Sequence, residues 1–265
     1  MEVASPNGEI RTEVKGAIGC LIISNPRKRN AMTKDMWGAF ASGIAALDSD
    51  AGVRVIVVQG DGDIAFVSGA DISQFEGQRA SAQDQAEYDA IAANAYDAPG
   101  RASKPVIAAI RGICIGGGLG LAAACDLRVC SADARFRMPA ARLGLGYSVE
   151  GVQRFVGLVG PQNALDLFMT AREFGAEEAL RMGFVTATET ADRLHSKVAE
   201  MASVIAENAP LTLRSVKLAV RAAHSRDEEV MAAARRAVLA CGASADHLEG
   251  QRAFREKRQP RFTGK

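Results

Sequence analysis

Apolar positions along this chain follow two regimes. In the first half, short continuous or β-branched runs alternate with stretches whose apolar residues recur every three or four positions. Glu9 to Val14 and Ala17 to Ser24 are extended runs joined by Lys15-Gly16, which predicts a hairpin. Thr33 precedes a helical pattern reaching about Leu47, with Asp35 and Met36 in its first turn, so Thr33 is the expected N-cap. Val53 to Gln59 is a continuous β-branched run, the form of a strand buried on both faces. Lys104 to Ile110 and Asp126 to Ser131 repeat it. Ala82 to Tyr96 and Gly118 to Cys125 read as helices between them. Strands separated by helices need crossover connections, and therefore a mostly parallel sheet.

After about Pro161 the pattern becomes helical. Ala164 to Thr170, Ala176 to Met182, Asp192 to Asn208, Pro210 to Ser225 and Asp227 to Leu248 each predict a helix, with few strand candidates. The expected organisation is an α/β core over residues 1–200 and a helical C-terminal part over 201–265.

Composition narrows the class. The 265 residues are 48% hydrophobic and 24% charged, as in soluble globular proteins. A net charge of +1 gives no whole-molecule field for nucleic acid or an acidic membrane. The longest apolar runs, such as Val55 to Val58 and Val106 to Ile110, are too short to span a bilayer. The first residues, MEVASPNGEI, lack a secretory pattern, so a cytoplasmic location is the default expectation. Cys20, Cys114, Cys125, Cys130 and Cys241 form an odd set without a CxxC pair, which predicts buried reduced thiols. His195, His224 and His247 are scattered among helical, charged segments, where surface positions are expected; the pattern contains no metal constellation.

Chemistry concentrates in two glycine-rich turns. The first is Ala65-Phe-Val-Ser-Gly-Ala-Asp-Ile72, where Gly69 permits a tight turn and Asp71 can bond nearby amides. The second is Arg111-Gly-Ile-Cys-Ile-Gly-Gly-Gly-Leu-Gly120, whose three adjacent glycines let backbone approach a ligand, with free N–H groups at the following helix start. Taken singly, each is explained as a strand-to-helix turn. Side by side, they would aim one N–H each at a common oxygen, an oxyanion hole for an enolate or tetrahedral anion. A dinucleotide site fits poorly, because the second turn is no clean GxGxxG and lies far from a first βαβ unit. Neither a GxSxG elbow nor a Walker lysine occurs.

The ordered motifs Asn25-Pro-Arg-Lys-Arg-Asn-Ala-Met32, Ala65 to Ile72, Lys104 to Gly112, Gly116-Gly-Gly-Leu-Gly120 and Cys125-Asp126 resemble the crotonase (enoyl-CoA hydratase/isomerase) superfamily. The likeness continues through Phe136-Arg-Met-Pro139, Leu143-Gly-Leu-Gly146 and Ala253-Phe-Arg-Glu-Lys-Arg258, with spacing kept from about residue 10 to 262. The resemblance implies an α/β spiral of ββα turns with a C-terminal helical trimerisation region, assembled as a homotrimer or a dimer of trimers. It implies an acyl-CoA substrate, no cofactor beyond the coenzyme A moiety, and no nucleic-acid or membrane partner. The family's oxyanion-hole amides fall on Ala70 and Gly117. Ser68 and the segment Ala70, Asp71, Ile72 and Ser73 line the thioester and adenine side. Arg27 and Arg29 neighbour the CoA phosphates, as do Lys257 and Phe262 from an adjacent subunit. A basic residue common in the family is replaced by Ser73, which implies a weaker contact there.

The same resemblance marks two departures. Standard hydratases of the family use two glutamates to orient and deprotonate water and to protonate the α-carbon; their positions here are Gly120 and Ala140. General acid–base groups contribute about 10²–10⁴-fold each, so hydration by that route is heavily impaired. A third position, acidic in some isomerases and dehalogenases, aligns with Ser148. Glu150, two residues on, is the candidate for proton transfer; its competing reading is a helix N-terminal charge. Tyr147 is a candidate hydrogen-bond donor near the acyl chain. Turn chemistry accounts for Asp61 and Asp63, and Glu76, Glu87 and Asp89 belong to the lid region with no assigned role. The expected function is an enoyl-CoA hydratase/isomerase-type lyase or isomerase. Thioester hydrolysis, decarboxylation and a non-catalytic CoA-ester-binding or assembly protein are the alternatives.

Overall fold

The computed structural model describes residues 8–71, 73, 81–223 and 227–265. The expected hairpin forms: β1 (Glu9–Lys15) pairs antiparallel with β2 (Ile18–Ser24), from Glu9 opposite Ser24 to Lys15 opposite Ile18. Thr33 Oγ1 accepts the Met36 N–H at 3.3 Å and caps α1 (Lys34–Ser49). Beyond β2 the sheet continues in parallel through β3 (Val55–Gly60), β5 (Val106–Ile110), β7 (Leu127–Ser131) and β10 (Ala187–Glu189), in the order β1-β2-β3-β5-β7-β10.

The apolar pattern did not predict the strands of a second sheet. Its strands β4 (Ala65–Val67), β6 (Ile113–Ile115), β8 (Arg135–Arg137) and β9 (Glu173–Gly175) lie in the order β4-β6-β8-β9. Each is three residues long, too short for a periodic signal. β3, β5 and β7 each lead into a strand of this second sheet. Each pair is then followed by a long or glycine-led helix: α2 (Ala82–Arg101), α3 (Gly117–Ala124) and α4 (Val149–Thr170). Three successive ββα turns are the spiral that the resemblance implies.

The alternation of a strand explains why β3 is apolar throughout. Ile56 and Val58 point into the core shared with Phe40, Phe66 and Phe136, whereas Val55 and Val57 point to the other face. That other face is covered by Leu194, Val198 and Ala202 of a helix running Leu194–Ala206, here α6, which follows the short α5 (Ala176–Arg181). Position 200 therefore falls inside a helix that belongs to the core. Cys114, Cys125 and Cys130 are buried, and burial pushes the Cys125 and Cys130 thiols up to about 12, so they stay protonated. His195 and His247 are exposed; His224 lies outside the described residues.

The C-terminal part departs from expectation at one place. Asp227 to Leu248 is not one helix; after α7 (Pro210–Ala223) come α8 (Glu228–Gly242) and α9 (Ala245–Glu256). Ser244 is extended at φ −83° and ψ 153°, and its hydroxyl accepts the His247 N–H at 3.1 Å. A new N-cap two residues after Gly242 outweighs the continuing apolar period. In the other direction, α4 begins earlier than foreseen and runs through Pro161, with a kink at Gly160, φ 76°.

Lys217 ties α7 to the spiral. Its Nζ lies 2.7 Å from Asp126 Oδ2 and donates to the carbonyls of Pro99 (3.1 Å) and Lys104 (2.7 Å). Asp126 also accepts the Val106 N–H at 2.7 Å. Lys217→Ala leaves that carboxylate without its cation, so a loss of about 3 kcal/mol is expected in urea unfolding. A loss within about 0.5 kcal/mol, the size of an ordinary surface substitution, would remove this anchoring role. Among the described residues no helix is long and apolar enough to cross a membrane.

Candidate active site

The motif Asn25 to Met32 shapes the first glycine turn. Asn30 Nδ2 donates to the carbonyls of Asp61 (3.0 Å) and Ala65 (2.7 Å), and Asn25 Nδ2 donates to Ala31 O at 2.8 Å. The Met32 N–H bonds to Gly69 O, and the Asp71 N–H bonds to Met32 O, both at 2.8 Å. These two bonds use the groups on either side of Ala70, so its own N–H points away from Met32, as in any parallel bridge. Gly69 bends the chain there with φ 112°.

The second turn leaves β6 through Gly116, at φ 56° and ψ −116°, whose N–H bonds to Arg137 O at 2.9 Å. Gly117 is the first residue of α3 and has no carbonyl one turn back to receive its N–H. A Cβ on Gly118 would sit 2.2 Å from Val67 O, so only glycine lets α3 lie against β4. The two turns touch: a Cβ built on Gly69 would be 3.4 Å from Ile115 O and 3.8 Å from Gly117 N. They form the floor of a cavity of about 970 Å³. Its walls carry aromatic rings, with Trp37 from α1, Tyr88 and Tyr96 from α2, and Tyr147 just before α4.

The positions of the two missing glutamates lie at this cavity. Ala140 opens a 3₁₀ turn (Ala140–Leu143) and lines the wall, half-buried. Gly120 is buried, and the space a side chain would take is occupied. A Cβ there would lie 2.8 Å from the Tyr147 hydroxyl and 2.9 Å from Tyr96 Cε1. The Tyr147 ring is held edge-on by Phe168 (centroids 4.9 Å apart) and Phe155 (6.5 Å), and lies so close to Gly151 that a Cβ there would meet Cε1 at 2.5 Å. Burial pushes the Tyr147 phenol up to about 12, with nearby Arg154 opposing the rise.

Ser148 Oγ accepts the Gly151 N–H at 3.0 Å and caps α4, which places Glu150 in that helix's first turn, exposed at the cavity mouth. Two further acids line the cavity. Asp89 accepts from Gln85 Nε2 at 2.8 Å, and Asp97 pairs with Arg154 at 3.2 Å. Glu87 pairs with Lys34 at 3.0 Å, Asp61 with Arg11 at 3.2 Å and Asp63 with Arg111 at 2.7 Å. Glu76 lies outside the described residues.

Of the sequence-named residues, Ser68, Ala70, Gly117, Tyr147 and Glu150 come together at the cavity. Ile72 lies outside the described residues. Asp71 is buried beside the cavity floor. Burial alone would raise its carboxyl, but hydrogen bonds from Lys28 and Ser73 prevail and hold it below the usual carboxylate range. Lys28 Nζ sits 2.8 Å from Asp71 Oδ2 and 2.8 Å from Ser73 Oγ, so a cation stands directly on Ser73. Arg27 and Arg29 are exposed and pair with no acid among the described residues. Lys257, at φ 53°, is exposed at the end of α9. Phe262 packs near Gly250 of its own chain, and its carbonyl accepts from Arg54 at 3.2 Å. Within one chain, neither Lys257 nor Phe262 reaches the cavity lining.

The sequence pattern gave no role to Trp37, and placed Tyr88 and Tyr96 only within the lid region between Ile72 and Arg101 that shapes the acyl pocket. The available signal was the spacing Tyr88, Ala92, Tyr96, a single stripe along one helix face, which a buried core face would show equally.

Paired sheets in ββα turns, with two glycine turns meeting beneath an aromatic cavity, define the crotonase class of enzyme. Comparison with known proteins agrees: residues 13–265 match the family model for enoyl-CoA hydratase/isomerase. A crotonyl-CoA hydratase from Syntrophomonas wolfei is 34% identical over 254 residues, covering 96% of this chain and 97% of the relative. A short-chain-enoyl-CoA hydratase from Clostridium acetobutylicum is 31% identical, covering 93% and 94%. The solved structure of an enoyl-CoA hydratase/isomerase family protein from Hyphomonas neptunium superposes with a TM-score of 0.91 at 33% identity, covering 97% and 98%. The chain belongs to the enoyl-CoA hydratase/isomerase family.

Proposed function

We propose that this protein acts on an acyl-CoA thioester, whose carbonyl oxygen is received by the N–H groups of Ala70 and Gly117 and stabilised there as an enolate. The observation that carries this reading is the contact between the two glycine turns at the cavity floor, with one N–H turned away from Met32 and the other at a helix start. Preorganised donors of this kind need no rearrangement as charge develops. Lys28 beside Ser73 supports a cationic contact for the CoA portion, close to where the family often carries a basic residue on the chain itself. Arg27 and Arg29 would extend it. Val220, Leu239 and Phe254 are exposed apolar residues on α7, α8 and α9, and Phe254 is 87% exposed. Apolar side chains left exposed on these helices support burial against further copies of the chain.

The reading is tested by incubating the purified protein with 2-enoyl, 3-enoyl, malonyl-type and aromatic CoA esters and following products by mass spectrometry. Conversion of at least one is expected, and the mass change names the reaction. Binding without conversion of any would replace this reading with that of a CoA-ester-binding protein.

Glu150, at the mouth, is the candidate for exchanging protons between cavity and solvent. Glu150→Gln is expected to slow turnover by about tenfold or more, at or just below the range for a general acid–base group. Turnover equal to wild type would exclude Glu150 from proton transfer.

A further inference from the structure

A second kind of hydrogen-bonding group stands beside the amides at the cavity floor. A Cβ built on Gly117 would lie 3.0 Å from the Tyr96 hydroxyl, and one on Gly120 would lie 2.9 Å from Tyr96 Cε1 and 3.4 Å from Cζ. In a helix the N–H and the Cα–Cβ bond both lean toward the N-terminus. An oxygen received by the Gly117 N–H therefore comes to rest on the side of Gly117 where the phenol already stands. Separate elements bring the two groups together, Gly117 at the start of α3 and Tyr96 in the C-terminal half of α2.

The phenol is held there from several directions. Trp37, 1% exposed, packs on the Tyr96 ring with centroids 5.2 Å apart and planes tilted by 57°. The neighbouring Asp97 pairs with Arg154 of α4 at 3.2 Å, and Lys34 of α1 pairs with Glu87 at 3.0 Å, so α2 is tied to both helices. A donor fixed before the substrate arrives meets developing charge without rearrangement.

We propose that Tyr96 is a catalytic residue whose hydroxyl is a third donor to the thioester oxygen, beside the N–H groups of Ala70 and Gly117. This deepens the oxyanion-hole reading above and rests on it. The chemistry of the position agrees. Where the family carries a glutamate this chain has Gly120, and the Tyr96 ring shares the space with the Tyr147 hydroxyl. A carboxylate there adds a negative charge beside the forming enolate, whereas a phenol O–H adds a dipole that can turn toward it. The phenol keeps its proton throughout, so the assignment holds for any route by which the enolate forms. Its bond strengthens as the oxygen gains charge. Tyr96 therefore acts on kcat more than on KM.

The test uses the full-length protein, Tyr96→Phe and Gly117→Pro, each bound to crotonyl-CoA carrying carbon-13 at the carbonyl. Difference infrared spectra read the thioester C=O stretch, which falls as donors polarise the bond. Wild type is expected to lower it furthest, and each variant to recover part of the free value. On whichever ester of the wider panel is converted, Tyr96→Phe should lose about 10²-fold in kcat with KM kept, as for a lost oxyanion donor. A second measurement leaves the packing in place: a fluorinated tyrosine at position 96, with a more acidic hydroxyl, should lower the stretch beyond the wild-type value. A stretch unmoved by both changes at Tyr96, but shifted in Gly117→Pro, would overturn the assignment and leave the two-amide hole standing. A stretch in wild-type complex equal to that of free ester would instead bring down the oxyanion-hole reading itself.

Discussion

Gly117→Pro is expected to turn over its thioester about 10²–10³-fold more slowly than Gly117→Ala, equivalent to about 2.7–4 kcal/mol of barrier. The comparison must be made against alanine, not glycine. A Cβ at this position would lie 3.0 Å from both Trp37 Cη2 and the Tyr96 hydroxyl, so any substitution presses on the cavity wall. Alanine carries that pressure and keeps the N–H. Proline carries it and loses the N–H, yet stands at the first position of a helix, where its ring is tolerated. The difference between the two therefore isolates the amide. Steady-state rates on whichever ester the protein converts, with CoA-ester binding measured by calorimetry, provide the check. Equal rates for the two variants would show that the Gly117 N–H takes no part.

Gly120→Glu is expected to restore no hydratase activity, and to destabilise the fold by about 1–3 kcal/mol, the usual cost of overpacking. The family's glutamate cannot simply be put back, because its first carbon would stand 2.8 Å from the Tyr147 hydroxyl and 2.9 Å from Tyr96 Cε1. Removing the ring should return part of the loss. Gly120→Glu combined with Tyr147→Ala is expected to be less destabilised than the sum of the single changes, with a coupling of about 0.5–3 kcal/mol. Urea unfolding of the four proteins in the cycle measures it. Strict additivity would mean that the tyrosine does not hold the glutamate's space. The cycle thus tests whether this chain exchanged a carboxylate for a phenol at one position in space, using residues that are far apart in sequence.

That exchange marks where local reading stops. The residues at Gly120 and Ala140 were legible as departures from a family pattern, but nothing local links Gly120 to Tyr96 or Tyr147. The cationic contact judged weakened at Ser73 is another case, since Lys28 reaches it from a separate loop. Phe262 and Lys257, expected to serve an adjacent subunit, lie away from the cavity of their own chain.

The sequence by itself determined whatever one segment's own chemistry decides. The Lys15-Gly16 hairpin, the Thr33 cap, the β-branched buried strands and the glycine turns all follow from backbone preference and burial over a few neighbouring residues. Only the tertiary structure decided the second sheet, whose three-residue strands have too few positions for a pattern and exist because β3, β5 and β7 deliver them side by side. It likewise decided the break at Ser244, where a capping hydroxyl competed with an apolar period, and the aromatic wall over the glycine turns. Short strands and cavity walls are stabilised by partners distant along the chain, and that stabilisation appears only once the spiral has closed.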